Sequence, residues 1–140
     1  MEVPDEVRKE LTIAAPRERV WRALTEADEL LRWFPDRSAE VDLRPGGTFR
    51  LEWESNEGDT GVFEEIEPPS RLVFRWWQVG TEYRLRVEIT LLEVREGTRL
   101  VLVERGFRTF AEDRRAELWA GNDDGWSKEL EELRAYLEAA

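Results

Sequence analysis

Glu104 closes an alternating run, Thr98 to Glu104, in which it keeps step with Leu100 and Leu102. Residues two apart in a strand share a face, so a carboxylate is expected among apolar groups. Burial disfavours the charged form, raises the pKa and suits a general acid or base. Glu64 keeps step with Val62 and Ile66 in the same way. Both positions also suit a glutamate paired with arginine, and a bulge would reverse either parity. Tyr83 shares a face with Leu85, and Asn122 falls inside an apolar helical stripe; each could orient a ligand carbonyl, hydroxyl or carboxylate. Asn122 could equally satisfy backbone groups, and Arg115 on the same stripe can snorkel to water. Lys9, in step with Leu11 and Ile13, would be a Schiff-base candidate only if it did not reach solvent.

The seven tryptophans are the largest chemical resource of the chain. Strand parity and helix phase turn Trp53, Trp76, Trp119 and Trp126 toward a space between sheet and helix, with Phe74 and Leu85 on the same side. Aromatic walls suit flat hydrophobic or aromatic ligands, although the same rings could simply fill the space. Trp77 has the opposite parity to Trp76 and is expected outside or at an edge.

Other chemistries are closed. There is no cysteine and no histidine, so thiolates, disulfides, the commonest metal ligands and the usual nucleophile triad are missing. Asp123-Asp124 and the Glu57 to Asp59 stretch lack the spacing of a calcium loop, and no metal or cofactor is expected. Gly46-Gly47 follows Pro45 between two strands and opens no helix, so it is a turn rather than a phosphate cradle. A net charge of -11 argues against nucleic acid and anionic membrane surfaces. The N-terminus has no cationic start followed by an apolar run, and no stretch approaches a membrane span, so the expected setting is cytoplasmic. Charged residues make up 38% of the chain, above the usual quarter or so. Abundant Glu and Arg suit a heat-adapted protein; GC-rich coding or deliberate design would give the same balance.

These residues need elements to position them. Val7 to Ala14 alternates and reads as a first strand, followed by two short helices, Pro16 to Thr25 and Asp28 to Phe34, the second stopped by Pro35. Strands follow over Ala39 to Arg44, Thr48 to Ser55, Thr60 to Glu67, Arg71 to Val79, Thr81 to Arg95 and Thr98 to Glu104, with Asn56 to Asp59 read as a turn by composition. The long alternation from Tyr83 to Leu91 marks an antiparallel sheet with one wet face. Trp119, Trp126, Leu130, Leu133 and Leu137 then fall on one helical stripe. Gly121 and Gly125 each weaken a helix by about 1 kcal/mol, but the stripe keeps its phase, which predicts one helix over Ala111 to Glu138. The expected fold is a single α+β domain over residues 1–140, a curved antiparallel sheet of about seven strands wrapped on the C-terminal helix.

Six segments carry more than architecture: Ala15 to Thr25, Arg32 to Phe34, Asp42 to Leu51, Glu67 to Phe74, Gly97 to Phe107 and Gly121 to Trp126. In order and register they resemble the SRPBCC (START-like, helix-grip) superfamily, and within it the group named after the C-terminal domain of the activator of heat-shock protein 90 ATPase. The resemblance implies a deep hydrophobic cavity under the C-terminal helix, as in lipid-transfer, polyketide-cyclase and ligand-sensing relatives. Members often carry a His near the end of the last strand, where this chain has Glu104. The expected function is binding of a hydrophobic or aromatic small molecule in that cavity. The alternatives are a cyclase, lyase or hydrolase using Glu104 with Tyr83 or Asn122, a chaperone-linked interaction protein, and an engineered scaffold without native ligand.

Overall fold

The computed structural model describes residues 3–139. The elements run β1 (Glu6–Ile13), α1 (Arg17–Thr25), α2 (Ala27–Leu30), β2 (Ser38–Val41), β3 (Thr48–Trp53), β4 (Asn56–Glu67), β5 (Arg71–Gln78), β6 (Leu85–Val94), β7 (Gly97–Arg105) and α3 (Arg115–Glu138). Two 3-10 turns, Phe107–Thr109 and Glu112–Arg114, precede α3. The strands form one curved antiparallel sheet in the order β1-β7-β6-β5-β4-β3-β2. This is the helix-grip architecture that the alternation and the helical stripe predict.

Period two builds the inner face. In β6, Leu85, Val87, Ile89 and Leu91 are buried while the residues between them are partly exposed. Register pairs Leu91 with Leu100, Ile89 with Leu102 and Val87 with Glu104, so β7 continues the same inner layer. Val20, Ala23 and Leu24 of α1 and Leu130 and Leu133 of α3 complete the core. The outer face is laced with charge: Glu64 meets Arg75 at 2.8 Å and Arg86 at 2.9 Å, and Arg86 also meets Glu88.

Local chemistry moves four boundaries from their expected places. α3 starts at Arg115 rather than Ala111, because Gly106 takes φ +116 and the buried Phe107 and Phe110 pin the linker as 3-10 turns. It then runs unbroken through Gly121 and Gly125. β6 starts at Leu85 rather than Thr81: the Arg84 amide donates to Thr109 Oγ1 (3.1 Å), outside the ladder, so Tyr83 lies in the connection before the strand. α2 ends at Leu30 and continues as turns, with Trp33 buried and Phe34 packed against the core. The β3–β4 turn sits at Glu54 and Ser55, so Asp59 is a strand residue. A register shift between Leu51 and Trp53 is accommodated at Gly58, where φ is +92 and an added Cβ would lie 2.1 Å from the Leu51 carbonyl oxygen.

Candidate functional site

A pocket of about 310 Å³ lies under the N-terminal half of α3. β3 ends by delivering Trp53 to it, β4 contributes Asp59, β5 Trp76, and the segment before β6 Tyr83. Phe34 comes from the turn after α2. α3 contributes Asn122, Trp126 and Glu129, with Gly121 and Gly125 between them. A Cβ at either glycine would meet nothing within 4 Å, so the missing side chains leave open space.

The rings form one connected wall. Phe34 sits edge-on to Trp53 (centroids 5.3 Å) and stacks with Trp126 (5.9 Å), while Trp126 lies 5.5 Å from Trp76. Such spacings give each pair an attraction beyond area burial.

Glu104 holds that wall in place. Parity puts it inward as predicted, opposite Val7 and Val87, and it is fully buried. Trp76 Nε1 donates to its Oε2 (2.7 Å), and Trp126 Nε1 (3.0 Å) and Asn122 Nδ2 (2.9 Å) donate to its Oε1. Burial pushes the carboxyl above the ordinary range, and the three donors oppose the shift. The indoles cover it, so Glu104 stands behind the pocket wall rather than on it. Its geometry suits orienting Trp76, Asn122 and Trp126 more than meeting a reacting atom.

Two carboxyls that composition alone hides do stand on the wall. Burial, aided by repulsion from Glu104, raises the Asp59 carboxyl to about 7. Burial and the neighbouring Glu132 raise Glu129 to about 7, and its Oε2 is shielded from solvent without a hydrogen-bond partner. The Tyr83 hydroxyl accepts from the Gln78 amide (3.1 Å), and burial raises its pKa. No arginine or lysine lines the pocket among the described residues.

Of the predicted site residues, Trp53, Trp76, Tyr83, Leu85, Asn122 and Trp126 converge on this pocket. Glu64 does not: it keeps step with Val62, which lies opposite the exposed Arg75 on the outer face, and a bulge between Phe63 and Glu65 breaks its step with Ile66, so it pairs with Arg75 and Arg86. Trp119 instead donates to the Glu6 carbonyl (2.8 Å), covering β1. Phe74 packs one layer deeper, edge-on to Trp76 and Phe49. Trp77, expected outside or at an edge, forms part of the rim under the Arg84 guanidinium. Lys9 pairs with Asp123 of α3 (2.9 Å), and Arg115 donates to the Phe110 and Arg108 carbonyls.

Sequence reasoning missed Phe34, Asp59 and Glu129. Asp59 shares parity with Gly61 and Phe63, and Glu129 lies one turn beyond Trp126; either pattern would have found them. Among the described residues, no three acidic groups converge as a metal site, and no helix is long and apolar enough to cross a membrane.

Residues 14–138 match the family model of activator of Hsp90 ATPase homolog 1-like proteins. No curated protein matches the chain. Among solved structures, DynU16 of the dynemicin biosynthetic locus superposes with a TM-score of 0.83 at 26% identity, over 98% of this chain and 48% of its own. The chain thus spans about half the length of DynU16. CalU16 from Micromonospora echinospora is similar at 30% identity and a TM-score of 0.70, over 96% of this chain and 75% of its own. A Rhodobacter sphaeroides protein matches at 25% identity and 0.81, over 97% and 94% of the two chains.

Proposed function

We propose that this chain, which belongs to the activator of Hsp90 ATPase homolog 1-like family of the SRPBCC superfamily, binds a flat, largely apolar small molecule between α3 and the sheet. The observation that carries the reading is the wall of Phe34, Trp53, Trp76 and Trp126 around about 310 Å³ of free space, with two indoles fixed by Glu104. That volume falls at the lower end of pockets for drug-sized molecules. The family's helix-grip fold is consistent with a small-molecule-binding role. Because the wall is built of tryptophan, intrinsic fluorescence reports occupancy directly. A flat aromatic probe should change the emission saturably, and Trp126→Ala should weaken its binding while Trp21, buried in the core outside the pocket lining, continues to emit. Unsaturable quenching, equal in wild type and Trp126→Ala, would refute the reading.

One observation favours a second, enzymatic reading. Asp59 stands on the wall with a carboxyl at about 7, near the working range of a general acid or base. In this reading Asp59 transfers the proton and Glu104 positions the wall, as in a cyclase or lyase. Turnover of a bound polyketide-like substrate, abolished in Asp59→Asn with binding retained, would establish it; unchanged turnover would remove Asp59 from the role.

A further inference from the structure

The charge of the pocket narrows what its walls can accept. Asp59 and Glu129 line it, Glu104 lies directly behind it, and among the described residues no arginine or lysine lines it. The N–H groups of Trp76, Trp126 and Asn122 that contact Glu104 are turned away from the space and toward that carboxylate. An anionic ligand would therefore meet acidic groups and ring faces, with Arg84 only at the rim, over Trp77, to balance its charge. A cation would meet the opposite: aromatic faces attract positive charge through the ring quadrupole, and low-dielectric walls strengthen the pull of the carboxylates. The rim already shows this chemistry, since the Arg84 guanidinium lies 4.0 Å from the centroid of Trp77. Glu129 Oε2 adds a buried acceptor without a partner on the same wall.

Resting on the small-molecule-binding reading above, we infer that the ligand is an aromatic organic cation, a flat ring system bearing a protonated amine or quaternary ammonium, with the ring against Trp53, Trp76 and Trp126 and the charge toward Asp59 and Glu129. The groups around this charge are Asp59 on β4, Tyr83 before β6 and Glu129 on α3, where Glu132 and Lys128 flank Glu129, with Glu104 of β7 behind the indoles and Arg84 over Trp77 at the rim. A cation favours the ionised carboxyls, so its binding strengthens as pH rises through neutrality and releases protons. A neutral ligand of the same shape lacks this dependence.

Three probes sharing one ring system separate the outcomes: naphthylmethylammonium, naphthalenemethanol and naphthylacetate, titrated against tryptophan emission at pH 5 and pH 8. The ammonium should bind about tenfold or more tighter than the alcohol at pH 8, with naphthylacetate weakest, and its advantage should shrink at pH 5. Asp59→Asn should lower the ammonium's affinity severalfold and leave the alcohol's unchanged, whereas Glu96→Gln, on an exposed turn far along the sheet, should change neither. Alcohol or naphthylacetate binding as tightly as the ammonium at pH 8 overturns the cation and leaves the binding reading standing. Equal losses in Asp59→Asn and Glu96→Gln overturn it too, by assigning the preference to the net charge of the whole protein. Saturable binding by none of the three removes both.

Discussion

The two halves of α3 lie on one sheet and do opposite things with the space beneath them. From Trp126 onward, Leu130 and Leu133 are 3% and 0% exposed, and the gap left among Leu24, Leu30, Phe49, Phe74 and Leu130 is only about 40 Å³. Before Trp126 the stripe carries Asn122, with Gly121 and Gly125 flanking it on the pocket side, and the gap is about 310 Å³. The closed half is held by apolar packing and by Tyr136, which donates to Glu29 (2.6 Å) beside Arg19. The open half is held at its margins by polar bonds: Lys9 to Asp123, Trp119 to the Glu6 carbonyl, and Asn122 to Glu104. A helix can thus be docked along its sides while its underside stays free, provided the side chains that would fill the space are missing.

Substitutions in the two halves should therefore differ in kind. Leu133→Ala removes a fully buried side chain from the closed half and should cost about 2–5 kcal/mol in chemical denaturation, the largest loss expected. A cost below about 1 kcal/mol would mean that this half is not the anchor. Glu104→Leu strips the acceptor from two buried indole donors and from Asn122, and should cost about 1–3 kcal/mol while disordering the pocket wall. Glu104→Gln keeps one acceptor oxygen and should recover most of that loss. If Glu104→Leu leaves both stability and ligand affinity unchanged, Glu104 does not orient the wall.

Titration separates the halves more finely. The fold raises the carboxyls of Asp59 and Glu129 to about 7 from 3.8 and 4.5, and raises Glu104 in the same direction. A raised carboxyl favours the protonated native state. Its contribution is complete below the ordinary carboxylate range and is lost as pH climbs toward about 7 and through it. The empty protein should accordingly be more stable at pH 5 than at pH 8, and Asp59→Asn should flatten that slope. A slope of the same size in the variant would place the titration elsewhere. The smallest effect is expected at Gly125→Ala: nothing obstructs the new methyl, so helix propensity should give about 1 kcal/mol of stability while trimming the pocket and weakening ligand binding. A gain in stability with undiminished binding would show that the glycine does not keep the space open.

The closed half was the legible one. Its register of Leu130 and Leu133 and the alternation of β6 follow directly from periods of about 3.6 and two, because burial there is one-sided and regular. The open half was read only in part. Strand parity found Glu104, Trp53 and Trp76, and helix phase found Trp126 and Asn122. Parity misled at Glu64 because it shares the outward side of Val62 and a bulge, which leaves no mark in residue type, breaks its step with Ile66; helix phase misled at Trp119 because a backbone carbonyl of β1 claims its indole N–H. Asp59 was hidden inside a run of turn formers, Asn56 to Asp59, whose composition outweighed its alternation with Gly61 and Phe63. What the sequence leaves unsaid is which inward-facing groups touch a cavity and which, like Glu104 and Phe74, stand behind those that do.

The tryptophans allow one measurement to ask whether the open half alone takes a ligand. Trp53, Trp76 and Trp126 line the pocket, whereas Trp21 and Trp33 belong to the packed core, with the Trp33 indole bonded to the Ala23 carbonyl (2.9 Å). In a ¹H–¹⁵N NMR titration with naphthylmethylammonium, the indole N–H signals of Trp53, Trp76 and Trp126 should shift together to saturation, and those of Trp21 and Trp33 should stay in place. Shifts centred on Trp21 and Trp33, or no saturable shift at any pocket indole, would contradict the account.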